Sequence, residues 1–211
     1  MVIQILIADD HEMFREGIKR ICEDNPDLVV AGEASNGNEV LEKVADRDFD
    51  LLLLDIAMPG LNGLDTLKQL KTLKPRLRVL VLSMYPEDEY AVRAIKAGAA
   101  GYLNKAKASR ELMEAIKKIS EGGNYIHASV AEKLLFDMRA ETSQPLHKTL
   151  SDREYQILAL IVSGKKVGEI AEELSLSVKT VSTYKVRILN KMEMKSTAEL
   201  VKYAVEHKLM I

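Results

Sequence analysis

Hydrophobic positions change rhythm repeatedly along residues 1–122. Short β-branched or leucine runs read as strands: Ile3–Ala8, Leu28–Ala34, Leu51–Leu54, Val79–Leu82 and Gly101–Leu103. Between them, apolar residues recur at helical spacing: Met13 or Phe14 with Ile18 and Ile21 or Cys22; Val40, Leu41 and Val44; Leu64, Leu67 and Leu70. Two more helices are predicted over Glu87–Lys96, closed by Gly98, and Arg110–Ser120, capped by Ser109 and stopped by Gly122-Gly123. Leu51–Leu54 is apolar on both pleat faces, as a central parallel strand under helices must be. The alternation predicts an α/β fold, a five-stranded parallel sheet, doubly wound, with right-handed crossovers.

Residues 123–147 break this rhythm and read as a linker, with a short helix over Ala131–Met138 and a polar end, RAETSQPLHK. Residues 148–211 show helical periods only, predicting an all-α four-helix domain. Ser151-Asp152-Arg153-Glu154 is a capping-box pattern ahead of Tyr155, Ile157, Leu158 and Ile161, and Gly164 ends that helix. Val167–Leu174, a run from Ser177 to Met192, and Thr197–Glu206 supply the rest. Each is too short to stand alone in water, so all must pack together.

Composition narrows the field without naming a chemistry. Hydrophobic residues make up 47% and charged residues 29% of 211, which excludes wholesale disorder and fibrous classes. No apolar run approaches the roughly 20 residues of a membrane span, and MVIQILIADD lacks the pattern of a signal peptide. Cys22 is the only cysteine, so a cytoplasmic setting without disulfides within the chain is expected. The net charge of −2 hides a segregation: residues 148–211 carry 11 basic and 8 acidic side chains, leaving 19 and 24 elsewhere. A basic second half keeps nucleic acid open as a partner.

Ligands of open parallel sheets bind beyond the carboxyl ends of the strands. Asp9 and Asp10 follow the first strand, Asp55 the third, Ser83 the fourth and Lys105 the fifth. Any one strand-terminal aspartate reads equally as a turn or a cap. Five such groups on one edge read as a site. Clustered carboxylates favour a hard divalent cation, Mg²⁺ first, with Mn²⁺ as a substitute. With Asp55 as nucleophile and metal ligand, Asp9 and Asp10 as metal holders, Lys105 as charge clamp and Ser83 as donor, the set suits phosphoryl transfer to a carboxylate. Tyr102, one strand from Ser83, is placed to move with it, so Ser83 and Tyr102 form a candidate switch.

From Val167 to Met192 the second half reads helix, turn, helix. Placing Val181 inward also turns Ile188 and Met192 inward, and turns Lys179, Thr183, Val186 and Asn190 outward, flanked by Ser182 and Arg187. That face is short-chained at its centre and basic at its rim, suited to base edges and phosphates of double-stranded DNA. A protein-interaction helix presents a polar face too, and periodicity alone leaves both readings open.

Together these residues resemble a known family. The pair Asp9-Asp10, the run Asp55-Ile-Ala-Met-Pro-Gly, Leu82-Ser83 and Gly101-Tyr102-Leu103-Asn104-Lys105 are similar to the receiver domain of bacterial two-component response regulators, a flavodoxin-like fold. Leu150-Ser-Asp-Arg-Glu154, Gly164, Glu169-Ile-Ala171, Leu174, Ser177, Lys179-Thr-Val181, Ile188, Lys191-Met192 and Ala198 resemble the LuxR-type module of the NarL/FixJ group. The resemblance implies phosphorylation of Asp55 by a sensor histidine kinase with Mg²⁺, a metal contact from the Ala57 backbone carbonyl, and the helix after Ser177 in the major groove. It also implies a homodimer reading two promoter half-sites, with no catalysis beyond phosphate gain and loss at Asp55. Tyr184 stands where the family often has histidine, Ser182 where lysine is common, and Ser196-Thr197 where arginine is usual, so base preference is expected to differ. Two other classes compete: a small Mg²⁺-dependent phosphatase, which needs a general acid that the pattern does not supply, and an adaptor whose helical half binds protein or RNA.

Overall fold

The strands form where the apolar runs lie, and each of the last three extends to take in the polar residue that ends it. The computed structural model describes residues 2–85, 89–139, 145–207 and 209. In the first half, β1 (Ile3–Ala8), β2 (Leu28–Ala34), β3 (Leu51–Asp55), β4 (Arg78–Ser83) and β5 (Gly101–Asn104) make one parallel sheet in the order β2-β1-β3-β4-β5. The crossovers are α1 (Glu12–Glu23), α2 (Gly37–Asp46), α3 (Gly63–Leu73) and α4 (Glu89–Lys96), and α5 (Ala108–Ser120) follows the last strand. The expected start of α4 at Glu87 lies outside the described residues.

The pleat divides the core. Ile5, Ile7, Leu51 and Leu53 pack with Ile18 and Cys22 of α1 and Leu112, Ile116 and Ile119 of α5. Leu6, Leu52 and Leu54 point the other way, where buried Val40, Val44, Leu64 and Leu67 of α2 and α3 close that face. Of the alternatives on α1, Phe14 leans on the core and Met13 is exposed. Cys22 is core, and burial pushes its thiol up to about 11, so it stays protonated and unreactive.

Two expectations are corrected. Ser109 does not cap α5, which begins one residue before it. A 3₁₀ turn over Lys105–Lys107 runs straight into the helix, and the cap belongs to Asn104, whose side chain accepts from the Ala106 N–H. The segment after Gly123 is not all linker either. Tyr125 bridges to Gly101 beside β5, and α6 (Ala128–Arg139), longer than expected, buries Val130. The chain accordingly divides into two compact units, 1–134 and 135–211. Residues 140–144 of the polar stretch lie outside the described residues.

In the second unit, α7 (Asp152–Val162), α8 (Val167–Glu173), α9 (Val178–Lys191) and α10 (Thr197–Glu206) follow a 3₁₀ turn over Leu146–Thr149. The Ser151–Glu154 capping box forms as expected. His147, read as polar linker, is buried instead, its Nδ1 3.0 Å from the Tyr203 hydroxyl of α10. Leu200 and Ala204 of α10 are buried, Val201 is half-buried and Val205 is exposed. Among the described residues no helix is long and apolar enough to cross a membrane.

Candidate functional site

Parallel register brings the strand ends together. Ala8 pairs with Leu54, so Asp9 and Asp55 leave the sheet side by side, and Leu82 pairs with Asp55, which sets Ser83 just beyond. Gly63 packs directly on the Asp55 backbone, and a Cβ there would collide with the Asp55 carbonyl oxygen. That contact fixes the end of β3 from below.

The resulting pocket holds three charges out of water. Asp9 and Asp55 are each 1% exposed and Lys105 6%. Lys105 Nζ stands 2.7 Å from Asp9 Oδ2 and 2.9 Å from Asp55 Oδ2, with the Phe14 ring centroid 4.7 Å away. Burial raises the Asp55 pKa above the usual carboxylate range and the Asp9 charge adds to the rise, while Lys105 opposes it. Burial lowers Lys105, but the two carboxylates outweigh that and its pKa rises. Asp55 Oδ1 is buried without a hydrogen-bond partner, and the nearby Ala57 N–H counteracts the rise without completing one. Such an oxygen is costly unless a ligand meets it. Asp10 is partly open at 29%, and Ala57 is half-buried in the turn after β3.

The donors Asp9, Asp10, His11 and Asp55 bring one ligand atom each within 4.8 Å of one another. The carboxylates fit a hard divalent ion such as Mg²⁺, and the orphaned Asp55 oxygen is where such a site lacks a partner. His11 escaped the sequence reading. Its only signal was adjacency to the Asp pair.

Ser83 and Tyr102 share one backbone neighbour. The Tyr85 N–H donates to Ser83 Oγ at 3.1 Å, and the Tyr102 hydroxyl donates to the Tyr85 carbonyl at 2.8 Å. Asn104 Nδ2 donates to the same carbonyl at 3.1 Å. Tyr102 is therefore buried and bonded, and Ser83, accepting from Tyr85, keeps its own O–H to donate. Tyr85 itself stacks on Tyr90 of α4, ring centroids 4.4 Å apart. The sequence pattern gave no sign that the Tyr85 backbone joins the two switch residues.

In the second unit, Val181, Ile188 and Met192 are buried, and Lys179, Ser182, Thr183, Val186, Arg187 and Asn190 are all exposed, Val186 by 57%. Val178, equally exposed, extends the apolar part of that face. Ser177 caps α9 by accepting from the Thr180 N–H, and Thr183 Oγ1 donates back to the Lys179 carbonyl. The turn before it uses Ser175 at φ 51, left-handed where glycine is easier, with the Leu176 N–H closing on the Ala171 carbonyl. Lys191 Nζ meets Glu154 Oε2 at 2.7 Å and ties the end of α9 to the start of α7.

Comparison with known proteins fits both halves. Residues 5–117 match the family described as response regulator receiver domain, and residues 148–204 the bacterial regulatory proteins of the luxR family. The response regulator UvrY of Escherichia coli (strain K12) is 35% identical over 209 residues, 99% of this chain and 96% of UvrY. The response regulator GacA of Pseudomonas protegens is 37% identical over 206 residues, 98% of this chain and 97% of GacA. A solved structure of two RcsB dimers bound to two parallel DNAs aligns at a TM-score of 0.60 and 25% identity, covering 97% of this chain and 98% of the RcsB chain. Buried strand-end carboxylates with a bridging lysine, a helix–turn–helix with an exposed second helix, and relatives matched end to end agree: this chain belongs to the response regulators, joining a receiver domain to a luxR-family regulatory domain.

Proposed function

We propose that a sensor histidine kinase phosphorylates Asp55 in a Mg²⁺-dependent step, and that this state governs binding of a homodimer to two half-sites of promoter DNA. The observation that carries the reading is Asp55 itself, buried, bridged by Lys105 and left with one unpartnered oxygen. A carboxylate oxygen of Asp55 attacks phosphorus as the donor's P–N bond breaks, leaving an acyl phosphate on Asp55 and the electron pair on the donor nitrogen. No base is required where Lys105 and the bound cation hold the Asp55 carboxylate ionised against its burial. Asp9, Asp10, Asp55 and the Ala57 carbonyl would hold Mg²⁺, which when bound would supply charge neutralisation for the phosphoryl oxygens. Lys105 gives a second positive charge and Ser83 a hydroxyl donor. No outside substrate is turned over, and the acyl phosphate is lost to water.

The signal leaves through Tyr85. Drawing Ser83 towards a phosphoryl oxygen frees the Tyr85 N–H, and the loop it anchors also carries the acceptor of the Tyr102 hydroxyl. A shift there is a two-state change of the kind that a charge on Asp55 can bias. The output is the exposed face of α9 in the major groove, with Lys179 and Arg187 at phosphates and Ser182, Thr183, Val186 and Asn190 towards base edges. The RcsB dimers on DNA support that partner and stoichiometry. On this reading the protein works in the cytoplasm, where promoter DNA is met. The test is Asp55→Asn in the full chain with acetyl phosphate and Mg²⁺, followed by intact mass. The variant should fold and take up no phosphate; incorporation at the wild-type level would move the acceptor elsewhere.

A further inference from the structure

We propose that His11 adds an imidazole ligand to the Asp9–Asp10–Asp55 cluster and makes the pocket a site for a borderline transition ion of the Zn²⁺ type, in competition with Mg²⁺. The inference rests on reading the pocket as a cation site and adds to it a ligand and a selectivity.

The geometry comes from the start of α1. His11 is the residue before that helix, and its backbone N–H donates to Asp9 Oδ1 at 2.9 Å, a tight turn that brings the side chain back over the carboxylates. Nδ1 then stands 2.8 Å from Asp10 Oδ1 and 3.3 Å from Asp9 Oδ1. Metal bonds of about 2.1 Å separate neighbouring ligands by about 3.0 Å in an octahedron and about 3.4 Å in a tetrahedron. His11, Asp9 and Asp10 are already spaced near what one ion requires, and Asp55 offers its ligand atom within 4.8 Å of theirs. The buried, unpartnered Asp55 Oδ1 is the independent sign that the cluster is built for a ligand and is not a solvated acidic patch. The His11 side chain is 69% exposed, so it settles onto an ion without disturbing packing.

The chemistry sets the selectivity. Mg²⁺ prefers oxygen and retains its waters, so an imidazole nitrogen adds little to its binding. Zn²⁺, Ni²⁺ and Cu²⁺ gain strongly from that nitrogen. An ion held by His11 together with Asp9, Asp10 and Asp55 uses the ligands that Mg²⁺ needs, so the two exclude each other.

The test titrates ZnCl₂ and MgCl₂ separately into the full chain, wild type and His11→Ala, by calorimetry. The His11 side chain makes no cap hydrogen bond, so alanine there leaves the helix start intact. Zn²⁺ affinity should fall about tenfold or more while Mg²⁺ affinity stays within about twofold. An unchanged Zn²⁺ isotherm would assign that ion to another histidine and overturn the inference. Equal losses for both ions would overturn it too, because His11 would then shape the pocket and not select the metal. Failure of Mg²⁺ to bind the wild type would instead strike at the cation reading of the pocket. In the unmutated protein, Co²⁺ should shift the His11 ring signals in the NMR spectrum; undisplaced signals at saturation count against the ligand.

Discussion

The receiver pocket and the outer face of α9 solve opposite problems with similar polar residues. In the pocket, Asp9, Asp55 and Lys105 are withdrawn from water before any ligand arrives. On α9, Lys179, Ser182, Thr183, Arg187 and Asn190 stay solvated in the folded chain. Phosphoryl transfer needs charges fixed in a low dielectric, where they act strongly and need no rearrangement. Reading DNA needs groups that exchange water for base edges and phosphates at the moment of contact. The pocket therefore strains the fold that holds it, and the face does not. Substitutions in the first should register in stability, and in the second in binding alone.

The largest effect expected from that contrast is at Lys105. With it, the buried group has two negative charges and one positive; Lys105→Ala leaves two carboxylates unopposed. A loss of about 3 kcal/mol follows, from the cost of stranding buried charge. Chemical denaturation measures it, and added Mg²⁺ should restore part. Asp55→Asn works the other way, leaving one balanced pair, and should gain about 1 kcal/mol while losing function. If both variants shift stability in the same direction, charge balance is not what strains the pocket.

The same contrast explains what was legible beforehand. Asp9, Asp55, Ser83 and Lys105 each terminate an apolar run, and strand ends of a parallel sheet converge by topology alone. The face of α9 followed from one angle per residue once Val181 was set inward, and its six named side chains are exposed together. What failed depends on contacts between distant residues. Tyr125 and Val130 looked like linker because their partners, beside β5 and in the packed first unit, are remote in sequence. His147 looked polar because its partner Tyr203 lies 56 residues away. Ser109 looked like a cap because the cue is local, yet Asn104 had already started the turn. His11 carried no periodic signal, and its meaning appears only when β1 and β3 lie side by side.

Between the extremes stands Glu154, a charge in the helical unit that is buried for architecture and not for chemistry. Burial alone would raise its pKa, but the Lys191 ammonium and the Ser151 N–H hold it below the usual range. A depressed folded value stabilises above the ordinary glutamate pKa, and that stability drains away as pH falls through the folded value. Glu154→Gln should cost about 1 kcal/mol at neutral pH, the size of a lost cap interaction. Stability profiles of the two proteins against pH should converge at acid pH. Parallel profiles would show that the ion pair adds nothing.

The smallest effect on the fold is expected where the effect on function is clear. Lys179 is exposed at the start of α9, and Lys179→Ala should leave stability within about 0.5 kcal/mol. Its consequence depends on what the ammonium meets. At a phosphate, the variant binds every duplex more weakly and the slope of log K against log salt shrinks by about 1. At a base edge, preference relaxes at one position while the slope holds. Filter binding of the phosphorylated full chain across a salt series, with matched and altered duplexes, separates the two. If neither changes, the face of α9 that the burial of Val181 and Ile188 turns outward does not meet DNA, and the likeness between the two regions ends at their polar composition.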